Sequence, residues 1–199
     1  AADSAWISIL TLSTGAPLGT LSSSLLSGAL PAIDGSALTN LNQAQVQTHL
    51  ITTSSQSLSP INTPNNITGL SATITPTTAS KRIKVTVRWQ GEFSLANNDD
   101  LIFGIKRGSV QIGQPADAGI RNSGISGISQ GYYNTDASST MDSTAYSYID
   151  SPATDTVTTY YATVSNDAVG TLYNQRVAID TNATDVERLT SSITLEEID

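Results

Sequence analysis

Arg82-Ile83-Lys84-Val85-Thr86-Val87-Arg88-Trp89 alternates without a fault: Ile83, Val85, Val87 and Trp89 fall on one side, and Arg82, Lys84, Thr86 and Arg88 on the other. A period of two in a run rich in β-branched residues is the pattern of a strand with one face in a core and one in water. Upstream, Ile67–Ile74 has the same strand character. Downstream, Leu101–Lys106 sets Leu101, Phe103 and Ile105 against Ile102, Gly104 and Lys106, and Val110–Ile112 follows a turn at Gly108. Further strands are predicted at Gly119–Ile128, Ser143–Ile149, Thr158–Val164, Leu172–Ala178 and Ser192–Ile198. Short strands at this spacing, separated by Gly, Asn, Asp and Pro turns, predict an all-β fold. The expected form is an antiparallel, jelly-roll-type sandwich. Neither βαβ spacing nor a long amphipathic helix is visible.

The charge distribution divides the chain. All nine basic residues lie at or beyond Lys81, and the acids before that point are Asp3 and Asp34. About a quarter of the residues in an ordinary soluble domain are charged, so a stretch of this length with only two charges needs partners to cover it. The net charge of −8 argues against binding duplex nucleic acid, which requires clustered Lys and Arg. It argues equally against anionic membrane surfaces. No apolar run reaches the roughly 18–20 residues that span a bilayer, and Ala1-Ala2-Asp3-Ser4 has no basic signal-peptide region. Neither nucleic acid nor membrane insertion is expected. With no cysteine, disulfides and thiolate chemistry are excluded.

Composition sets the expected boundaries. Residues 1–12 place Trp6, Ile7, Ile9 and Leu10 in an alternating run, read as a docking peptide, because an aromatic and aliphatic anchor is a large contribution to burial. Residues 13–57 are a low-complexity segment read as an extended, mostly irregular arm or shaft. Its Gly and Pro residues forbid a continuous helix, while Leu18, Leu21, Leu25, Leu30, Ile33, Leu38 and Leu41 supply an apolar strip. Three copies wound about one axis would bury that strip. Asn40–His49 suggests a helical turn or two at a hinge. Residues 58–199 form the expected head.

Catalytic residues are hard to assemble. His49 is the only histidine and has no acid within ten positions, so a nucleophile–base–orienter set cannot be read around it. Asp99 and Asp100, Asp136 and Asp142, Asp150 and Asp155, and Glu196 and Glu197 are paired carboxylates that read more simply as solvated turn or strand-end residues. Asn97-Asn98-Asp99-Asp100 offers oxygen ligands for calcium but lacks the alternating spacing of an EF-hand loop. No cofactor is expected. Asn66-Ile67-Thr68 and Asn182-Ala183-Thr184 match the glycosylation pattern by composition alone. The Gly119–Ile128 run fits no nucleotide motif and reads as a strand of small side chains near a symmetry axis. Tyr132 and Tyr133, followed by Asn134 and Asp136, form the candidate recognition loop, since tyrosine combines a rigid apolar face with a polar tip. Of the adjacent Tyr160 and Tyr161, one is expected in the core, because neighbours on a strand point to opposite faces.

Tyr148–Thr154, Thr158–Val164 and Ser192–Ile198 resemble the closing strands of head domains in bacteriophage fibre proteins, whose heads are similar to trimeric TNF/C1q-like jelly rolls. Lys106–Gly113 resembles a strand-turn-strand unit of those heads, and Leu30–Leu41 is similar to the shaft repeat that precedes them. The resemblance implies a non-enzymatic homotrimer on the virion surface. It would contact capsid or tail proteins through its N-terminus and a host-surface glycan through its head. The short shaft departs from long tail fibres and points to a knob or spike. Two alternatives share the architecture: a capsid decoration protein that cements the shell, and a tail spike that cleaves polysaccharide, which would need a carboxylate cleft.

Overall fold

A computed structural model describes residues 45–94, 100–116, 119–129, 141–184 and 186–199. The quoted alternation lies in the longest strand, and the rest of the sandwich is arranged around it. In chain order the strands are β1 (Gln45–Leu50), β2 (Ser54–Leu58), β3 (Asn65–Ile74), β4 (Arg82–Ser94), β5 (Asp100–Arg107), β6 (Val110–Ile112), β7 (Ser126–Ser129), β8 (Asp142–Asp150), β9 (Thr158–Asn166), β10 (Gly170–Asn174) and β11 (Ser191–Ile198).

β4 is long enough to take two neighbours in succession along one edge. Arg82–Arg88 pairs with β11, and Gly91–Ser94 pairs with β10. The other edge of β4 pairs with β8 from Ile83 to Gly91. β1 extends the sheet beyond β11, and β2 extends it beyond β10. The second sheet runs β3–β9–β5, and the free edge of β5 is shared by β6 and β7. All of these pairings are antiparallel.

With the short β2, β6 and β10 set aside, the pairings nest: β1 with β11, β3 with β9, β4 with β8, β5 with β7. First meets last, second meets seventh, third meets sixth, fourth meets fifth. A long antiparallel hairpin wrapped in this way is a jelly roll, so the all-β sandwich expected from the sequence is the fold observed.

The core lies between the sheets. Ile83, Val85, Val87 and Trp89 are fully buried, as the alternation requires, facing Leu101, Phe103, Ile105, Tyr160, Ala162 and Val164 of the second sheet. The Trp89 and Phe103 rings pack tilted at 41°, 4.9 Å between centroids, and the Trp89 indole N–H donates to Asn174 Oδ1 at 2.8 Å. Aromatic burial on this scale is among the largest single-residue contributions to a core. Tyr160 is the core member of its tyrosine pair, and Tyr161 is half-buried.

Four expectations need correction. Residues 45–57, read as part of the extended segment, supply β1 and most of β2, so the first sheet begins well before position 58. Gln45–His49 is a strand and not a helical turn: Val46, Thr48 and Leu50 point inward, an alternation that only a pleated backbone uses. In Gly119–Ile128 only the last residues are strand. Gly119 has φ +73°, and Ile125 N donates to Phe103 O in a bond outside the ladder, so the chain crosses the sheet before joining it. The strand predicted to end at Ala178 stops at Asn174, because Gln175 adopts φ +62°.

Candidate functional site

The outer faces of the two sheets offer different surfaces. On the first sheet the register sets Gln45, Glu196, Lys84 and Ile149 in one row, and Gln47, Thr194, Thr86 and Ser147 in the next. His49, Ser192, Arg88 and Ala145 form a third row. His49 is therefore exposed on a flat polar face with no carboxylate in its row.

On the second sheet, Thr163 and Ser165 point away from the core yet are only 1% and 2% exposed. They lie beneath a cover formed by two segments. One is the β2–β3 connection, where Asn62 N donates to Asn166 O at 2.7 Å. The other is residues 113–116 and 119–125. Asn122 Nδ2 joins the two by donating to Asn62 Oδ1 at 2.7 Å, and Gln111 Nε2 donates to Ser123 O at 3.0 Å. Glycine makes the approach possible: a Cβ on Gly124 would lie 2.5 Å from both Ile102 Cγ2 and Phe103 O. The cover leaves a cleft of about 410 Å³ against the sheet, lined by Ile102, Pro115, Ala116, Arg121, Asn122 and Ser123, with Gly124–Gly127 along one side. A second depression of about 420 Å³ is lined by Asp180, Asn182, Val186 and Arg188. There Arg188 makes a bidentate pair with Asp180 at 2.8 Å.

Two of the carboxylates read as solvated are buried and engaged. Asp150, 5% exposed at the end of β8, accepts from Arg107 Nη1 at 3.0 and 2.9 Å and from the Tyr160 hydroxyl at 2.7 Å. Arg107 and Tyr160 belong to the second sheet, so this cluster ties the sheets together at one end. Burial, aided by the hydrogen bond to Asp150, pushes the Tyr160 phenol well above its ordinary value. Burial alone does the same to Tyr146, whose hydroxyl donates to Gly104 O at 3.0 Å. Glu197, 2% exposed, accepts from the backbone N–H of Thr77 at 2.6 Å and from its hydroxyl. The signal for both acids was present in the sequence. Asp150 continues the inward series Tyr146, Tyr148, and Glu197 continues Ile193, Leu195.

The remaining predicted site residues fall elsewhere. Trp6, Ile7, Ile9 and Leu10 lie outside the described residues, as do Leu18, Leu21, Leu25, Leu30, Ile33, Leu38 and Leu41. So do Tyr132, Tyr133, Asn134, Asp136 and Asp99. Ser129 and Asp100, which border residues 130–140 and 95–99, are register partners at one end of the second sheet. Among the described residues no group of three or more His, Asp or Glu side chains is placed to hold a metal. Sequence reasoning did not single out Arg121, whose only signal is a basic residue within a Gly-rich run. No protein-family model matches the chain, and no curated protein matches it in sequence.

Proposed function

We propose that this chain is a non-enzymatic surface protein of a tailed-phage virion: a short trimeric knob, anchored through its N-terminal residues, whose head contributes to attachment to a host-surface glycan. One observation favours this over the alternatives. Gln45, where the described head begins, is level with Glu196 and Lys84, at the end of the sandwich where Asp150 meets Arg107. Ser129 and Asp100, the described residues that flank the segments holding the recognition candidates Tyr132, Tyr133, Asn134 and Asp136 and the neighbouring Asp99, lie at the opposite end. A sandwich whose first strand begins at one pole, with the strand ends that flank the recognition candidates at the other, suits a projection that presents those candidates outward.

The charge-poor, leucine-bearing first part of the chain supports the trimer, since its apolar strip needs other copies to cover it. The acidic balance keeps neighbouring heads apart. The non-enzymatic reading is supported by the use of Asp150 and Glu197, which hold the fold and do not face a cleft. Capsid decoration is the second reading, favoured by the shortness of the shaft-like repeat. Imaging of intact particles with the protein labelled separates the two. A few trimers at the tail support attachment, whereas hundreds spread over the shell replace it with decoration. A full chain that stays monomeric at micromolar concentration in light scattering overturns the trimer.

A further inference from the structure

We infer that the cleft beside Arg121 binds a saccharide bearing a carboxylate; the inference rests on the attachment reading and gives it a location and a ligand class. The cleft has the size of ordinary small-ligand sites, which run from about 300 to 1,000 Å³. Its composition is mixed in the way a sugar requires. Ile102, Pro115 and Ala116 supply apolar surface for the face of a pyranose ring. Among the described residues the Asn122 Oδ1 and the Ser123 hydroxyl make no hydrogen bond, which leaves them for ring hydroxyls.

The choice of an acidic sugar comes from the accounting of cations. Lys81, Lys84, Arg107 and Arg188 are engaged by carboxylates. Lys106 and Arg176 donate to backbone carbonyls, as does Arg82. Arg88, exposed on the outer face of the first sheet, makes no ion pair either, but it meets the Gln90 amide oxygen at 3.0 Å in that amide's favoured orientation and lines neither depression. Arg121 makes no ion pair or hydrogen bond among the described residues, and no described carboxylate lines its cleft. In a chain carrying 17 acids and nine bases, an unneutralised guanidinium is a local reversal of the prevailing field. The second depression is the contrast, because its Arg188 is already satisfied by Asp180. A guanidinium binds a planar carboxylate through two parallel hydrogen bonds. One such group neutralises a monoanion; a phosphate dianion on this acidic protein would call for further cations.

The test is a glycan array carrying uronic-acid, sialic-acid and neutral oligosaccharides, probed with the full chain and followed by titration of the best ligand. The expected result is preference for acidic glycans, at least tenfold weaker binding by Arg121→Ala, partial recovery in Arg121→Lys, and loss in Ala116→Trp, which fills the cleft from an exposed position. Binding should also weaken as salt rises. Wild-type protein that binds no acidic glycan, or that binds one equally well with Arg121→Ala and Ala116→Trp, overturns the cleft assignment. If the wild type binds neutral glycans and Tyr132→Ala with Tyr133→Ala abolishes this, attachment stands while the cleft does not. If no glycan binds and particles stripped of the protein adsorb normally, both fail.

Discussion

The outer faces of the two sheets begin from the same pleated geometry and end differently. On the first, alternation translates directly into exposure: Thr86 and Arg88 of β4 face water while Val85, Val87 and Trp89 are sealed. On the second, β9 starts by alternating and then is buried on both sides from Ala162 to Asn166. The difference lies in the added layer at residues 113–116 and 119–125, which a sheet tolerates only where side chains are small enough to let backbone approach backbone. A strand's sequence therefore reports which residues share a face; what covers that face is decided by segments far away in the chain.

Breaking the cover should have the largest effect. Gly124→Val puts carbon where Ile102 and the Phe103 carbonyl already lie, and is expected to destabilise by about 3 kcal/mol, with overpacking alone contributing about 1–3. Urea unfolding measures it, and a loss under 0.5 kcal/mol would mean that the segment does not pack as described. The next effect appears with pH. Tyr146 beneath Gly104 and Tyr160 beside Asp150 both hold their protons more tightly folded than unfolded. The folded state then binds more protons above the ordinary tyrosine value near 10, so stability is complete below that pH and falls as pH rises beyond it. Thermal melts at pH 9, 10 and 11, with the phenolate absorbance followed in parallel, should show ionisation and unfolding together. Thr163→Val is a finer probe. Its Oγ1 is buried with no hydrogen-bond partner among the described residues, so the substitution should be neutral or stabilising by up to about 1 kcal/mol. A clear destabilisation would reveal a partner for the hydroxyl. The smallest change is expected on the open face, where Thr86→Ala should stay within about 0.5 kcal/mol. A larger value in the full chain, absent in a dilute monomer, would show that another subunit covers this face.

Much of this fold was legible because apolar alternation records the inward face. β6 and the start of β4 could be placed closely, although β4 runs on to Ser94 beyond the alternation, and β9 put one of Tyr160 and Tyr161 in the core without saying which. β2 left almost no trace, since Ser54-Ser55-Gln56-Ser57 is polar throughout and only Leu58 is sealed. β1 carries its alternation partly on Thr48, an ambiguous residue beside a helix-compatible composition. Sheet order was out of reach by periodicity, which says nothing about neighbours. The candidate site was less legible still. Asp150 and Glu197 look like surface acids until they are counted along the inward series of their strands, and Arg121 gains its interest from what the other cations already hold.

The pairing of β1 with β11 has a mechanical meaning. Six residue pairs, from Gln45↔Glu196 to Leu50↔Ser191, join the strand by which the chain enters the head to its closing strand, itself bonded to β4. Tension applied at Gln45 and resisted at the far pole runs parallel to these strands, so it loads the ladder in shear and all of its bonds must yield together. A sideways pull would open the same ladder one pair at a time. The sandwich therefore holds against traction along these strands and peels under torque.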